Sequence, residues 1–294
     1  MVSDSSNQSK TLRLILPQWQ GGTDIAYAFG AELLAFIAPN NTADETVRIP
    51  VDMEVKDNIK AEDAIAYEEE ILSQLVSTTQ VLEEKRPDKV IVFGGDCAIS
   101  QAPFDYLSGK YGDKLGVIWF DAHPDISTIE SSQHAHEMVL SNMIGYGESA
   151  LTKQIKHPVS KERVIYAGLI ERDLREKDSG VRKLNMQVVG PDSLKLNSDP
   201  ILEWIQKEKI TKLAVHFDLD VLTPECFRSN TCAKPYMTRE EYGSAIGELT
   251  FDDIVRVLQD AGTSAEVVGL CIAEHMPWDA FSLRDALAKI SIFR

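Results

Sequence analysis

KVIVFGGDC (residues 89–97) is an apolar run that passes directly into two glycines, an aspartate and a cysteine. Comparable compact runs recur five more times along the chain, at residues 11–16, 115–120, 163–168, 212–217 and 265–272. Continuous Val, Ile and Leu runs are typical of strands that are covered on both faces, and their alternation with helices indicates a parallel sheet. The sequence therefore predicts an α/β fold with helices on each side of a mostly parallel sheet.

Helical spacing of apolar residues fills most of the intervals between these runs. The pattern predicts helices near residues 25–37 and over residues 61–85, and Pro87 ends the second one. Because no repeat, low-complexity tract or long linker interrupts the alternation, we expect one domain over residues 11–294. Residues 1–10 are predicted to form a disordered polar tail, and residues 127–138 an irregular insertion.

The composition excludes several classes of partner. The 294 residues include 30 Lys and Arg against 46 Asp and Glu, which gives a formal net charge of −16. Nucleic-acid phosphates and acidic membrane surfaces both require a basic partner, so neither is expected to bind. The chain has no apolar run of the length of a membrane span and no signal-peptide core at its start, which predicts a cytoplasmic protein. Its four cysteines are too few for a disulfide scaffold, so we expect free thiols.

Acidic and metal-ligating residues follow four of the predicted strands. They are Asp96 and Cys97, then Asp121, His123 and Asp125, then Asp218 and Asp220, and finally Glu274. The carboxyl ends of parallel strands meet at one edge of a sheet, so these side chains are expected to lie close together. So many negative charges cannot stay ionised together without cations. Oxygen ligands with an occasional imidazole suit Mn²⁺ or a similar hard divalent ion, which predicts a metal centre at this edge.

The order and spacing of four segments resemble those of the arginase/agmatinase (ureohydrolase) family. The segments are FGGD (93–96), DAHPD (121–125), HFDLDVL (216–222) and AEHMP (273–277). The resemblance implies a three-layer α-β-α sandwich, two Mn²⁺ ions per chain, and hydrolysis of a guanidino C–N bond with release of urea. It also implies a small guanidino-type substrate and a homo-oligomer, a trimer or a hexamer.

The resemblance also implies a ligand set for the two ions. Asp121 and Asp218 correspond to carboxylates that bridge both ions. Asp125 corresponds to a ligand of the first ion, and His123 and Asp220 to ligands of the second. These five residues all lie in the segments that carry the resemblance.

Three further roles concern the reaction. His136 is similar in placement to a proton-shuttling histidine of the family, and Glu274 resembles the carboxylate that receives the substrate guanidinium, a planar cation that a carboxylate fits well. Paired divalent ions lower the pKa of water from 15.7 toward about 7 and so supply a nucleophile at neutral pH. The leaving amine then needs a proton, a task that suits Asp125 with resupply from His136.

Cys97 departs from the family pattern, which has histidine after Gly-Gly-Asp. A cysteine thiolate can coordinate a metal, but soft sulfur pairs poorly with hard Mn²⁺. We therefore expect the first site to be weak, or to prefer Fe or Zn. Family members with cysteine here include some that act on N-hydroxy-arginine, which keeps that substrate open. The alternative is that Cys97 is a small buried thiol that binds no metal.

Other departures concern the substrate. Ser127 stands where arginases have an asparagine that contacts the substrate carboxylate, and the loop SQHAHE (132–137) differs from the arginase loop. Arginine, N-hydroxy-arginine, agmatine-like amines and guanidino acids all remain candidate substrates. A second hypothesis is a non-catalytic or regulatory relative with an impaired metal site. Metal stoichiometry and urea release distinguish the two hypotheses.

Overall fold

The computed structural model describes residues 9–41, 44–56 and 64–293. Residues 1–8 of the predicted tail and residues 61–63 of the predicted long helix lie outside the described residues. The prediction of one domain over residues 11–294 stays a prediction.

A single sheet runs through the described part of the chain, and all the strand pairs in it are parallel, as predicted. Its eight strands are β1 (Thr11–Leu16), β2 (Glu45–Arg48), β3 (Lys89–Gly94), β4 (Leu115–Phe120), β5 (Val164–Ala167), β6 (Gln187–Val189), β7 (Lys212–Asp218) and β8 (Glu266–Ala273). The order across the sheet is β2-β1-β3-β8-β7-β4-β5-β6. The sequence did not predict the two edge strands, β2 and β6, because they are short and lack a continuous apolar run.

Ten α-helices lie in the described ranges, and 3₁₀ turns connect several of them. The helices are α1 (Ala26–Ile37), α2 (Glu68–Lys85), α3 (Gln101–Tyr111), α4 (Val139–Met143), α5 (Gly180–Lys183), α6 (Pro191–Leu196), α7 (Asp199–Lys207), α8 (Arg239–Tyr242), α9 (Phe251–Ser264) and α10 (Trp278–Leu287). Among the described residues, none of these helices is both long and apolar enough to cross a membrane. The four cysteines are free, as predicted.

Strand β4 shows how the three layers form. All six of its residues are buried, and successive side chains of a strand point to opposite faces of the sheet. Val117 and Trp119 belong to one core, which also contains side chains of α2 and α3. Ile118 and Phe120 belong to a second core, which contains side chains of α7 and α9. The chain is therefore an α-β-α sandwich, as the resemblance implied.

The predicted long helix begins later than its apolar pattern indicated. Helix α2 begins at Glu68, because Tyr67 before it has a left-handed backbone with φ of 55°. The Tyr67 ring is buried and lies edge-on to Trp19, with 4.9 Å between the ring centroids. Residues 65–67 thus belong to a turn that packs into the core, so apolar residues at helical spacing here did not indicate a helix.

The four central strands position the strand-end residues. β3, β8, β7 and β4 are adjacent in the sheet, although β3 and β4 are consecutive in the chain. Since ligands of open parallel sheets bind beyond the carboxyl ends of strands where the strand order changes direction, this edge is the expected binding site. The segments that follow these four strands are the ones that carry the acidic residues.

Gly95 permits the close approach of the two loops that follow β1 and β3. A Cβ atom at Gly95 would lie 1.7 Å from the carbonyl oxygen of Gln18. The backbone N–H of Gly95 donates to Leu16 O at 3.1 Å, and that of Asp96 to Gln18 O at 3.0 Å. A side chain at Gly95 must therefore push apart two hydrogen-bonded backbones.

We predict that Gly95→Ala lowers the free energy of unfolding by about 3 kcal/mol or more, since overpacking against rigid backbone costs at least ~1–3 kcal/mol. The matched control is Gly262→Ala in α9, where a Cβ would meet nothing within 4 Å. That variant should gain about 0.5–1 kcal/mol, because alanine is the better helix former. Urea denaturation measures both. Equal stability of the two variants would contradict this account of Gly95.

Candidate metal centre

Asp96 organises the loop that presents Cys97. Its buried carboxylate accepts hydrogen bonds from Gly21 N (2.8 Å), Gln18 Nε2 (3.0 Å) and Ala98 N (2.9 Å). Burial raises the pKa of Asp96 to about 6, even though these bonds and the nearby His136 act to lower it. Asp96 therefore joins the loop after β1 to its own turn, and Cys97 begins the 3₁₀ turn that follows it.

A first group of ligand-type atoms lies at the carboxyl ends of β3 and β4 and in the last part of β7. Cys97, Asp121, Asp125 and His216 each offer one atom, and these atoms lie within 4.8 Å of one another. All four residues are buried. The Cys97 thiol also donates to Asp218 Oδ2 at 2.8 Å. The structure thus brings together Cys97, Asp121 and Asp125 as the sequence predicted, and adds a histidine.

A second group contains Asp121, His123 and Asp220, with ligand atoms again within 4.8 Å of one another. His123 Nδ1 lies 2.8 Å from Asp220 Oδ2 and 3.5 Å from Asp121 Oδ1. The other ring nitrogen lies 2.7 Å from Ser244 Oγ, which fixes the orientation of the imidazole. Asp121 belongs to both groups, so its carboxylate lies between two candidate ion positions.

The Asp-x-Asp and Asp-x-His spacings have a local structural cause. Asp121 Oδ1 accepts from the backbone N–H of His123 at 2.6 Å, and Asp218 Oδ1 accepts from that of Asp220 at 2.7 Å. Each carboxylate therefore binds the N–H group two residues later and is held in one orientation as its strand ends. Trp119 Nε1 donates to Asp121 Oδ2 at 3.0 Å and holds the second oxygen.

His136 and Glu274 form a pair at the same edge. His136 Nδ1 lies 2.9 Å from Glu274 Oε1, and Cys97 Sγ lies 3.5 Å from the same oxygen. Burial alone would lower the pKa of His136, but the hydrogen bond and charge of Glu274 outweigh it and raise that pKa. The sequence predicted separate roles for these two residues, whereas the structure joins them through a hydrogen bond.

Two of the predicted site residues have strained backbones. Asp125 has φ of 46° and Glu274 has φ of 61°, in the left-handed region that non-glycine residues rarely adopt. Such conformations cost on the order of 1–3 kcal/mol each and cluster at functional sites. The backbone N–H of Glu274 donates to Gly95 O at 2.7 Å, which helps to hold this turn.

Three of the four aspartates in the centre have raised pKa values, because they are buried next to one another. Burial, together with the charge of Asp220, raises the pKa of Asp121 to about 7 and that of Asp218 well above its usual range. Burial followed by the charges of Asp121 and Glu274 raises the pKa of Asp125 in the same way. Asp220 is the exception, because His123 outweighs the effect of burial and lowers its pKa.

The donor set fits divalent metal ions. A buried cluster of carboxyl groups with raised pKa values is stabilised in its ionised form by a cation. Two atoms of residues in the first group, Asp125 Oδ2 and His216 Nε2, are buried without a hydrogen-bond partner among the described residues. Buried polar atoms normally have partners, so these two atoms indicate that the centre binds a further group.

His216 is the member of the first group to which the sequence motifs gave no role. It lies two residues before Asp218 in β7, so both side chains point to the same face of the sheet. The two-residue spacing between His216 and Asp218 could have identified His216 from the sequence, because alternate residues of a strand share one face. His275, which the sequence left without a role, is also buried near this edge, but its Nδ1 lies 3.2 Å from Gly30 O.

A small cavity of about 150 Å³ opens over these groups. Besides the candidate ligands, its lining includes Tyr27, Arg175, Thr231, Tyr242 and Ser244. Phenol, hydroxyl and guanidinium groups therefore surround the place where a small substrate would enter.

Glu137 fixes the loop that carries His136. Its carboxylate accepts from Ser132 Oγ at 2.5 Å and from Lys177 Nζ at 2.6 Å, and it lies 3.2 Å from Arg175 Nη1. Burial alone would raise the pKa of Glu137, but the charge of His136 and the bonds from Lys177 and Ser132 lower it to about 2. This carboxylate is therefore ionised whenever the protein is folded above that pH.

The chain is similar to known arginases in both sequence and fold. The model of the arginase family matches residues 35–236. The arginase of Entamoeba histolytica is 27% identical over 174 residues, which cover 57% of this chain and 54% of that enzyme, about half of its length. The Bacillus subtilis arginase is 29% identical over 217 residues, which cover 69% of this chain and 70% of that enzyme. The crystal structure of the E. histolytica arginase with L-ornithine superposes with a TM-score of 0.74 at 19% identity, covering 92% and 91% of the two chains, and so shows a shared fold.

The shifted pKa of Glu137 gives a pH-dependent prediction. The pKa in the folded state lies below the ordinary value of 4.5, so the stabilisation is complete above about pH 4.5 and is lost as the pH falls toward 2. Glu137→Gln should therefore lower the free energy of unfolding by roughly 2–3 kcal/mol at pH 7, and by much less at pH 3.

Urea denaturation at the two pH values tests this. Glu130→Gln, at an exposed glutamate of the same loop, is the control and should change the free energy of unfolding by about 0.5 kcal/mol or less. A loss for Glu137→Gln that is equally large at pH 3 and pH 7 would show that the charge of Glu137 does not stabilise the fold.

Proposed function

Since the chain belongs to the arginase family of hydrolases, we propose that its strand-end cluster binds two divalent metal ions, with Mn²⁺ as the first candidate, and hydrolyses a guanidino C–N bond to release urea. The observation that supports this most directly is the shared position of Asp121, which belongs to two groups of ligand atoms. A carboxylate common to two groups is what a pair of adjacent ions requires. The homo-oligomer and the cytoplasmic location stay predictions.

The chain's own residues divide between the two ions. Cys97, Asp121 and Asp125 would hold the first ion, and His123 and Asp220 the second. Asp218 would serve as a second bridging ligand, a role supported by the 2.8 Å between its Oδ2 and Cys97 Sγ and by its grouping with Asp220 and Glu274. When bound, two such ions lower the pKa of water toward about 7 and supply a nucleophile at neutral pH.

Glu274 would bind the guanidinium group of the substrate. Its carboxylate lies at the cavity and can pair with a planar guanidinium through parallel hydrogen bonds. The backbone bond from Glu274 to Gly95 and the hydrogen bond to His136 fix the direction of this carboxylate before substrate enters. That orientation presents the guanidinium carbon to the groups of the metal centre.

Asp125 and His136 would transfer protons to the leaving amine. Asp125 lines the cavity, and its buried Oδ2 has no hydrogen-bond partner among the described residues, so this oxygen could take up the proton that the nucleophile releases and pass it to the leaving amine. Glu274 raises the pKa of His136, which favours a protonated imidazole that can replace that proton. The two groups therefore act in sequence on the amine nitrogen.

The substrate range follows from the same geometry. Arginine, N-hydroxy-arginine, agmatine and guanidino acids all present the same kind of carbon to the centre and differ at the other end of the molecule. Arg175, Tyr242 and Ser244 line the cavity and are the groups that would distinguish these ends.

Release of urea, or of hydroxyurea from N-hydroxy-arginine, is measured with the Mn²⁺-loaded protein and these four substrate types, and metal is counted per chain. We expect two ions per chain and release of one of these products from one substrate type. His136→Asn should lower kcat by about 10²–10⁴-fold, the usual contribution of a general acid. His134→Asn, in the same loop, should stay near the wild-type rate.

Two outcomes would contradict the proposal. Fewer than two ions per chain, with neither urea nor hydroxyurea from any substrate, would favour a non-catalytic relative. Two ions per chain without either product would show that the reaction is not guanidino hydrolysis.

A further inference from the structure

His216 has the features of a ligand rather than of an ordinary core histidine. Its side chain is buried, and its ring stacks on Trp119 with 3.7 Å between centroids and 10° between planes. The stacked ring cannot swing away from the centre without breaking this contact. Its position on β7 places it on the same face as Asp218.

The two ring nitrogens of His216 have different surroundings. Nδ1 lies 2.8 Å from Ser100 Oγ, whereas Nε2 is buried and has no hydrogen-bond partner among the residues that the structure describes. A metal-ligating histidine usually gives its other ring N–H to a neighbouring acceptor, which fixes the tautomer and points a lone pair at the metal. Ser100 can accept that N–H, which leaves the Nε2 lone pair free.

The neighbours of His216 supply the rest of a coordination set. One of its ring nitrogens lies within 4.8 Å of Cys97 Sγ and of one carboxylate oxygen each from Asp121 and Asp125. Asp125 Oδ2 is itself buried without a partner in the described part of the chain. Two residues of this group, His216 and Asp125, therefore each have a buried polar atom without a partner.

We propose that His216 is a ligand of the first metal ion, so that this site binds through nitrogen, sulfur and two carboxylate oxygens. This inference rests on the proposed metal-dependent function. It means that the imidazole absent at position 97 is supplied from β7 instead. Sulfur and imidazole favour Zn²⁺, Fe²⁺ or Co²⁺ over Mn²⁺, whereas the oxygen-rich second site keeps its suitability for Mn²⁺. The two sites are therefore chemically unequal.

Titration of the full chain with Co²⁺, followed by calorimetry and by visible and near-ultraviolet absorption, tests this. The wild-type protein should bind two Co²⁺ ions, the tighter one with a thiolate-to-cobalt charge-transfer band. His216→Asn keeps an amide where Nδ1 faces Ser100 but has no atom at Nε2. It should weaken the tighter Co²⁺ site at least tenfold and shift its absorption spectrum, while the second site keeps its affinity.

His275→Asn is the matched control, since His275 is also buried near this edge but faces Gly30 O. It should leave both Co²⁺ affinities and the charge-transfer band unchanged. Unaltered Co²⁺ affinity and spectrum in His216→Asn would overturn the inference while the proposed hydrolase function stands. Absence of Co²⁺ binding to the wild-type protein would instead contradict the proposed function, and the inference with it.

A second measurement needs no variant and holds even where His216→Asn fails to fold. X-ray absorption of the wild-type protein with one equivalent of Zn²⁺ should show one sulfur at about 2.3 Å and one imidazole nitrogen at about 2.0–2.1 Å. Sulfur without imidazole in that spectrum would overturn the proposal.

Discussion

The mutual repulsion of buried carboxylates at the ends of β4 and β7 is the constraint on which the rest of the site depends. Asp121, Asp218 and Asp220 lie in the interior of a sandwich, where low polarity makes each charge costly and each like-charged neighbour more costly still. A protein can keep such a cluster only by protonating part of it or by binding cations in it. The thiol of Cys97 and the imidazoles of His123 and His216 add ligands that suit the second solution.

The fold supplies the rigidity that this arrangement needs. Two apolar cores, one on each face of the sheet, fix the central strands, and the carboxylates are then oriented by N–H groups of their own turns. Asp125 and Glu274 adopt left-handed backbones, a local cost that the packed strands on each side sustain. Burial and local hydrogen bonds therefore hold the centre before any ion or substrate binds.

Much of this could be predicted from the sequence, and the exceptions have physical causes. The central strands were recognisable because strands covered on both faces are continuously apolar, and the strand-end residues were predicted to meet because parallel strands share one carboxyl edge. The edge strand β2, which alternates between half-buried and exposed residues, lacks that signal. His216 was missed because the motif that contains it gave roles only to the two aspartates that follow, Asp218 and Asp220. The pairing of His136 with Glu274 depends on a loop conformation that no local pattern encodes.

Anomalous diffraction from crystals soaked in excess Mn²⁺ is the most direct test of the central claim, that the carboxylates exist to hold two ions. The account predicts two manganese peaks about 3.5–4 Å apart, the separation typical of two-metal sites. The peaks should lie on either side of the carboxylate of Asp121, one beside Cys97 and one beside His123. The peak beside Cys97 is expected to be the weaker one in Mn²⁺ and to fill in a Zn²⁺ soak. No peak at this edge of the sheet, or a single peak in both soaks, would contradict the presence of two ions.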